Sequence, residues 1–450
     1  MVFKLGMDGA FTTLDFFAEN GNDGTEPHAG LTQAADGSFY GTTSGGGASG
    51  YGTVFKLSPD GSLTTLHSFT SRDGAPYASL TRAPAGSFYG TTVGDSGTIF
   101  KLDAGGVTTL HRFTGSEGRY PYAGLTLGGA GALYGTTDWG GAFDKGTIFK
   151  LEFDGITTLH SFQGNDGQGP RGTLIAGPDS SFYGTTLHGG DEDVGTIFKL
   201  DSTGLLTTLH SFDGADGSHP FASLTAGEDG SFYGTTEDGG ANNSGTIFKL
   251  DADGVLTTLH SFAGGDSGRP LATIAQGPDG SLYGTTAGNG IGGGTIFKLD
   301  ADARLTTLHS FGGSNGSVPW AGLTLGADGR FYGTTTEGGV GYGVIFRLDL
   351  GLGGRRLPGD CNADGSLDIS DAVCLLGYLF LGAPASLPCG SGKADDSANV
   401  QLLDHNGDGK IDLSDPISVL GFLFLGGPPP RLGLDCVSIS GCSASCRREL

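Results

Sequence analysis

One tetrapeptide constrains this chain more than any other feature. Tyr-Gly-Thr-Thr begins at Tyr40, Tyr89, Tyr134, Tyr183, Tyr233, Tyr283 and Tyr332, at spacings of 49, 45, 49, 50, 50 and 49 residues. A period of that length makes each repeat one supersecondary unit, which buries a core only by stacking on its neighbours. Four short runs rich in β-branched and aromatic residues fill a repeat. In the fifth copy they read FASLTAG, GSFYGTT, GTIFKLD and VLTTLHSF. None has a sustained 3.6-residue apolar period, so each reads as a strand. Glu228-Asp229-Gly230 separates the first pair and Asp251 to Gly254 the second. Asp-Gly supplies the positive φ of a tight antiparallel hairpin. A unit is therefore a meander of strands a, b, c and d. The expected fold is all-β, a seven-bladed β-propeller of four-stranded antiparallel blades over residues 1–350.

The ends of the repeat region test this reading. The chain opens MVFKLGMDGAFTTLDFF, a c and d pair without a and b, and the last repeat stops after its c strand, Val344 to Leu348. If TTLDFF supplies the missing d strand, the ring closes and no open edge is left to pair with another chain. One c strand, Val2 to Leu5 or Val344 to Leu348, is then surplus, and an eight-bladed ring with a truncated first blade is the alternative.

In such a meander the b–c and d–a loops share one face. The b–c loops drift (SGGGASGY, VGDS, DWGGAFDK, LHGGDEDV, EDGGANNS, AGNGIGG, TEGGVGY) while the strands around them do not. Ligand-contacting residues sit preferentially on loops carried by a rigid frame, so a site is expected there. Trp139 and Trp320, the only two tryptophans, fall on this face, with Tyr77, Tyr120, Tyr122 and Phe221 at or near the residue after a proline. Such aromatics stack on sugar rings or anchor a protein partner; the plainer reading is that they plug the seams between blades. The repeated histidines His67, His111, His160, His210, His260 and His309 read as scaffold. The acids Asp73, Glu117, Asp166, Asp216 and Asp266, with Asn315 and Asp23, read as turn formers or as an acidic ring.

A net charge of −24 argues against a nucleic-acid partner, which clustered Lys and Arg would recognise. No run approaches the roughly 20 apolar residues of a membrane span. The chain begins in a repeat strand without a signal peptide, so an extracellular or cell-surface location is inferred from the C-terminal segment. All six cysteines lie there, Cys361, Cys374, Cys389, Cys436, Cys442 and Cys446. Clustered cysteines in a segment this small read as disulfide staples of an oxidising compartment, with the pairing open.

The same segment holds the sharpest chemical signal. DCNADGSLDISD (Asp360 to Asp371) and DHNGDGKIDLSD (Asp404 to Asp415) share one pattern 44 residues apart. Calcium takes six to eight oxygens, and an EF-hand-type loop offers them from positions 1, 3, 5, 7, 9 and 12, with Gly at 6 for the turn. The first loop offers Asp360, Asn362, Asp364, the carbonyl of Ser366, Asp368 and Asp371. The second offers Asp404, Asn406, Asp408, the carbonyl of Lys410, Asp412 and Asp415. Two Ca2+ ions are expected.

Asp rather than Glu at position 12, followed in both copies by a helical run (DISDAVCLLGYLFLG, DLSDPISVLGFLFLG), resembles a type I dockerin over roughly Gly359 to Gly427. That resemblance implies a calcium-folded module that docks on a cohesin-type or other surface partner. Loop positions 10 and 11, here Ile369, Ser370, Leu413 and Ser414, would help to choose it. The helices are apolar nearly all round, with LFLG where the family usually bears basic residues, so mutual packing is expected of them. The words YGTT, GG and GT[IV]FKL resemble the GloVer (Gloeo-Verruco) tandem repeat of bacterial secreted and surface proteins, which implies a propeller-like extracellular module and no defined activity.

The expected organisation is a propeller over 1–350, a linker over 351–358 and a dockerin-like, cysteine-rich domain over 359–450. The repeats carry no singular Ser/His/Asp or paired-carboxylate constellation, which favours binding over catalysis. The expected function is that of a secreted or surface-held protein whose loop face binds a glycan or protein. The rival is an extracellular polysaccharide-active lyase or glycoside hydrolase carried by the same module.

Overall fold

A computed structural model describes residues 10–17, 22–177, 179–227, 229–263, 268–288, 293–339, 341–350, 355–356, 361, 369–381, 397–405, 410–425 and 437–438. Seven four-stranded antiparallel sheets follow one another along the chain. In blade 1 the strands are a Thr32–Gln33, b Phe39–Thr43, c Thr53–Leu57 and d Leu63–Ser68. Blade 5 repeats the plan with Thr225–Ala226, Phe232–Thr236, Thr246–Leu250 and Leu256–Ser261. Blade 7 is composite: Thr324–Leu325, Phe331–Thr335 and Val344–Asp349 come from the last repeat, and strand d is Ala10–Phe16 from the chain start. Phe11 pairs with Leu348 and Phe16 with Val344, so Val344–Asp349 is the c strand of the closing blade. The alternative, Val2 to Leu5, lies outside the described residues.

The repeated tetrapeptide is explained letter by letter. Its Tyr packs on the first residue of strand b in the following blade. Ring centroids lie 4.3 Å apart for Tyr40 and Phe88, 4.4 Å for Tyr183 and Phe232, and 4.1 Å for Tyr332 and Phe39 across the closure. Its Gly lies under the c-strand Phe of the same blade. A Cβ on Gly41 would come within 2.4 Å of Phe55 Cζ. The first Thr donates to a carbonyl of the next blade, as Thr42 to Ala78 at 3.2 Å, Thr185 to Ala222 at 3.0 Å and Thr334 to Ala29 at 3.2 Å. The second Thr bonds across its own sheet, with Thr43 and Thr53 hydroxyls 2.9 Å apart. Each hydroxyl is buried, and a buried polar group left unpaired costs about 1–3 kcal/mol; in blade 7, where Val344 stands for the c-strand Thr, the Thr335 hydroxyl donates to the Glu337 carbonyl at 2.8 Å instead.

Between blades lie matching apolar clusters. Val54 and Phe69 of blade 1 meet Leu80, Phe88, Phe100 and Leu102 of blade 2, and Ile247 and Phe262 of blade 5 meet Ile274, Leu282 and Phe297 of blade 6. Burying each such side chain contributes roughly 1.5–3 kcal/mol. The FKL lysines brace the opposite face: Lys199 bonds Asp179 at 2.7 Å and lies over the Tyr183 ring. The a strands contribute only two ladder residues each, and the short segments that lead into them line the axial cavity.

After the propeller, Arg355–Arg356 pairs antiparallel with Val437–Ser438. Among the described residues three helices come next: α1 Ile369–Leu381, α2 Ser397–Leu403 and α3 Ser414–Leu425. α1 packs on α3, and a small core gathers Cys361, Leu375, Leu402, Leu403 and Ile411. No described helix is long and apolar enough to cross a membrane.

Candidate functional site

The d–a loop of a blade pairs with its own b–c loop, through bridges such as Thr25 with Gly45, Arg119 with Trp139 and Ser317 with Glu337. Both loops therefore build one face. Each d–a loop ends in proline, and in six blades the residue before it is left-handed. These are Glu26, Tyr120, Gly169, His219, Arg269 and Val318, with φ between 54° and 65°. Left-handed backbone before proline is costly for a side-chain-bearing residue, and more so for β-branched Val318. Bonds to two blades hold it. The Val318 amide donates to Gly293 of the preceding b–c loop at 2.7 Å, and its carbonyl accepts from Thr336 of its own at 3.2 Å. In all seven blades, including the one where Ala75 before Pro76 is not left-handed, the residue after proline lines the axis.

There the seven-fold symmetry ends. The seven post-proline positions carry His28, Tyr77, Tyr122, Arg171, Phe221, Leu271 and Trp320, and all seven line one axial cavity of about 110 Å³. The rings touch in sequence: Trp320 and His28 at 5.3 Å, His28 and Tyr77 at 5.2 Å, and Tyr77 and Tyr122 edge-to-face at 5.4 Å. The Arg171 guanidinium then lies 4.9 Å from the Tyr122 centroid and 5.5 Å from that of Phe221. Phe221 returns to Trp320 at 5.8 Å. The remaining lining residues, such as Ala78, Gly124, Ser223 and Thr273, are small.

Arg171 is fixed by Asp138, the residue after YGTT in blade 3, with Nε to Oδ1 at 3.2 Å and a terminal nitrogen to Oδ2 at 3.0 Å. The Asp138 side chain is only 4% exposed. Around the rim Arg269 pairs with Glu237, and Arg119 bonds Asp144 at 2.9 Å. Burial lowers His28 to a pKa of about 4, so its imidazole is neutral near pH 7. Burial raises the Tyr122 phenol, against the opposing pull of Arg171. The mouth of the tunnel is thus an aromatic collar with one neutralised cation, suited to stacking on a flat ligand and to directional hydrogen bonding.

Four of the repeated d-strand histidines meet the d–a loop residue of their own repeat. His111 donates to Glu117 at 3.1 Å, His160 to Asp166 at 2.8 Å and His210 to Asp216 at 2.7 Å, while Asn315 donates to His309 at 3.1 Å. The acids also cap their loops, as Asp166 does for the Gln163 amide at 2.8 Å. Asp73 binds Thr70 and Arg112, and the Asp23 carbonyl accepts from Thr53. Asp266 lies outside the described residues. Burial works against the Glu117 charge, but hydrogen bonds from Thr114 and Ser116 outweigh it and hold its pKa at about 2.

Of the aromatic candidates, Tyr77, Tyr122 and Trp320 come together at the mouth. Trp139 does not join their ring; it is exposed on the b–c loop of blade 3. His28, Arg171, Leu271 and Asp138 were missed in the sequence. Prolines 27, 76, 121, 170, 220, 270 and 319 recur once per blade, and reading one residue past each would have found the collar.

The C-terminal loops show a second, internal symmetry. Asp371 and Asp415, the twelfth residues, each accept from the backbone amide of the second residue, Cys361 and His405, at 2.9 Å in both copies. Forty-four residues also relate a covalent bond to a hydrogen bond: Cys361 is disulfide-bonded to Cys374, and His405 Nδ1 lies 2.8 Å from Ser418 Oγ. Each ties the start of a loop to the helix that follows it. Asp371, Asp404 and Asp415 are buried, at 1%, 3% and 0% exposure. Carboxylates so far from water fit a cation among them. Asp360, Asn362, Asp364, Ser366, Asp368, Asn406 and Asp408 lie outside the described residues, as do Cys389, Cys436, Cys442 and Cys446. Among the described residues no three His, Cys, Asp or Glu side chains converge as a metal cluster. The helices pack on each other as expected, yet Ile369, Val373, Leu413 and Ile417 stay exposed at matching positions of the two copies.

Comparison with known proteins agrees with both parts. Residues 1–95 and 93–290 match the Gloeobacter/Verrucomicrobia repeat, and residues 358–419 match the dockerin type I domain. The C-terminal region therefore carries a dockerin type I domain. No curated protein matches the sequence. Among solved structures, the extracellular domain of a candidate one component system from B. thetaiotaomicron is similar in fold. Its TM-score is 0.52 at 12% identity, over 80% of this chain and 42% of that one. The chain thus spans about two fifths of that protein's length. A candidate 6-phosphogluconolactonase from Bacteroides fragilis NCTC 9343 aligns with a TM-score of 0.44 at 21% identity, over 66% of this chain and 86% of that one.

Proposed function

The chain belongs to the Gloeobacter/Verrucomicrobia repeat family, and from that premise we propose that it is an extracellular or surface-held binding protein whose propeller recognises a glycan at the tunnel mouth. One observation carries the proposal. Seven equivalent positions that the repeat could have filled alike hold His28, Tyr77, Tyr122, Arg171, Phe221, Leu271 and Trp320, and they face one cavity. Rigid aromatic rings with a fixed guanidinium supply stacking surface and hydrogen-bond donors at low entropic cost. Binding is favoured over catalysis because Asp138 and Glu237, acids beside the mouth, are each committed to an arginine.

The dockerin module would carry this propeller to its place of work. In this reading Asp360, Asn362, Asp364, the Ser366 carbonyl, Asp368 and Asp371 hold one Ca2+, and Asp404, Asn406, Asp408, the Lys410 carbonyl, Asp412 and Asp415 hold the other. Calcium joins each loop to its helix, and the exposed Ile369, Val373, Leu413 and Ile417 offer a partner protein, of cohesin type or another, an apolar contact. A glycan array probed with the full chain, run beside turnover assays on the same glycans, tests the reading. Retained binding without product is expected. Product release without retained binding would replace it with the enzyme reading.

A further inference from the structure

We infer that the tunnel mouth takes the end of an uncharged glycan chain. The inference rests on the glycan reading above and narrows it. All blades encircle the cavity, so a polymer enters along the axis by an end and cannot lie through it sideways. Its volume of about 110 Å³ is well below the ~300 Å³ at which pockets for larger ligands begin, so only the tip of a chain reaches into it. The Trp320, Tyr77 and Tyr122 rings would cover the apolar face of a terminal sugar, and Ser223 and Thr273 also line the cavity.

Charge sets the class. Arg171 is the cation of the collar, and both its carboxylate partner and its stacking partners are already in place: Asp138 holds its nitrogens, and Tyr122 and Phe221 flank its plane. A uronate or sulfate entering here would lose hydration without a spare counter-charge. The chain's net charge of −24 would also repel it at long range. A cationic ligand would meet Arg171 on the same aromatic faces that a cation–π site would use. A neutral chain end meets neither obstacle.

The two tryptophans make the test direct. In the full chain carrying Trp139→Phe, Trp320 is the sole tryptophan and reports on the mouth. This protein is titrated with linear gluco-, manno-, galacto- and xylo-oligosaccharides, with a cyclic glucan, and with matched oligouronates and sulfated oligosaccharides, by fluorescence and calorimetry. One neutral linear series is expected to shift Trp320 emission saturably and to bind at least tenfold tighter than its charged or cyclic counterparts. Phe221→Leu, which removes a ring but keeps the apolar volume, should weaken it at least tenfold. A charged series that binds as tightly, a cyclic glucan that matches the linear one, or calorimetric binding without a Trp320 response overturns the inference and leaves the glycan reading standing. Heat from no sugar at all, with an unchanged circular dichroism spectrum, sinks that reading itself.

Discussion

Arg171→Met tests how the collar is held. The substitution keeps most of the side-chain volume and removes the charge, leaving the Asp138 carboxylate 4% exposed without its two guanidinium bonds of 3.2 and 3.0 Å. Breaking a buried ion pair from one side costs about 3–5 kcal/mol. The Arg171 side chain is itself 28% exposed, so water partly screens the pair and brings the cost below that range, to about 2–3 kcal/mol. Loss of the guanidinium from the Tyr122 and Phe221 faces adds about 0.5–1 kcal/mol. Adding Asp138→Leu removes the stranded charge, and the double variant should recover to within about 1 kcal/mol of the parent. Urea unfolding followed by tryptophan fluorescence isolates the propeller, because Trp139 and Trp320 both lie in it. An Arg171→Met protein within about 0.5 kcal/mol of the parent, or a double variant as unstable as the single one, would refute the reasoning.

Four further outcomes are expected. Burial holds His28 at about 4 against an ordinary 6.5, so the unfolded chain takes up its proton first. The stability this contributes is complete above about pH 6.5 and falls by up to about 3 kcal/mol as pH drops to 4; unfolding free energies of the parent minus His28→Phe should trace that slope. Phe17, fully buried beside Phe55 at the closing blade, should cost about 3–5 kcal/mol on substitution by Ala in the same urea assay, and a loss under 1 kcal/mol would speak against closure by the chain start. Chelation should melt α1–α3 while sparing the tryptophan transition; calcium at about 100 times its dissociation constant stabilises the module by roughly 2.7 kcal/mol, and helical dichroism that ignores chelator would contradict it. Cys361→Ser with Cys374→Ser should weaken one calcium-binding step and Ser418→Ala the other, read by calorimetry; identical effects on both steps would deny the loops their separate ties.

The repeat announced its architecture because each letter of YGTT has a partner in its own or the next blade. A pattern that recurs seven times leaves few ways to stack. The dockerin was equally legible, since calcium demands oxygens at set spacings along one short loop. The candidate site was only half visible. Tyr77, Tyr122 and Trp320 drew attention as aromatics, whereas His28 and Arg171 look ordinary until the axis brings them beside those rings. Asp138 sits 33 residues before Arg171 and one blade away, a pairing that no local pattern encodes. Trp139 misled for the converse reason: it shares chemistry and face with Trp320 but not the inward turn after proline.

By itself, then, the sequence determined the blade, its count of copies and the dockerin, because those follow from local periodicity and from the spacing of residues within one loop. Two matters waited for the tertiary structure. One was ring closure, where Ala10–Phe16 pairs with Val344–Asp349 across nearly the whole repeat region. The other was the collar, where one residue from each blade meets the rest at the axis. Both depend on bringing together positions far apart in the chain, and only the closed ring sets those distances.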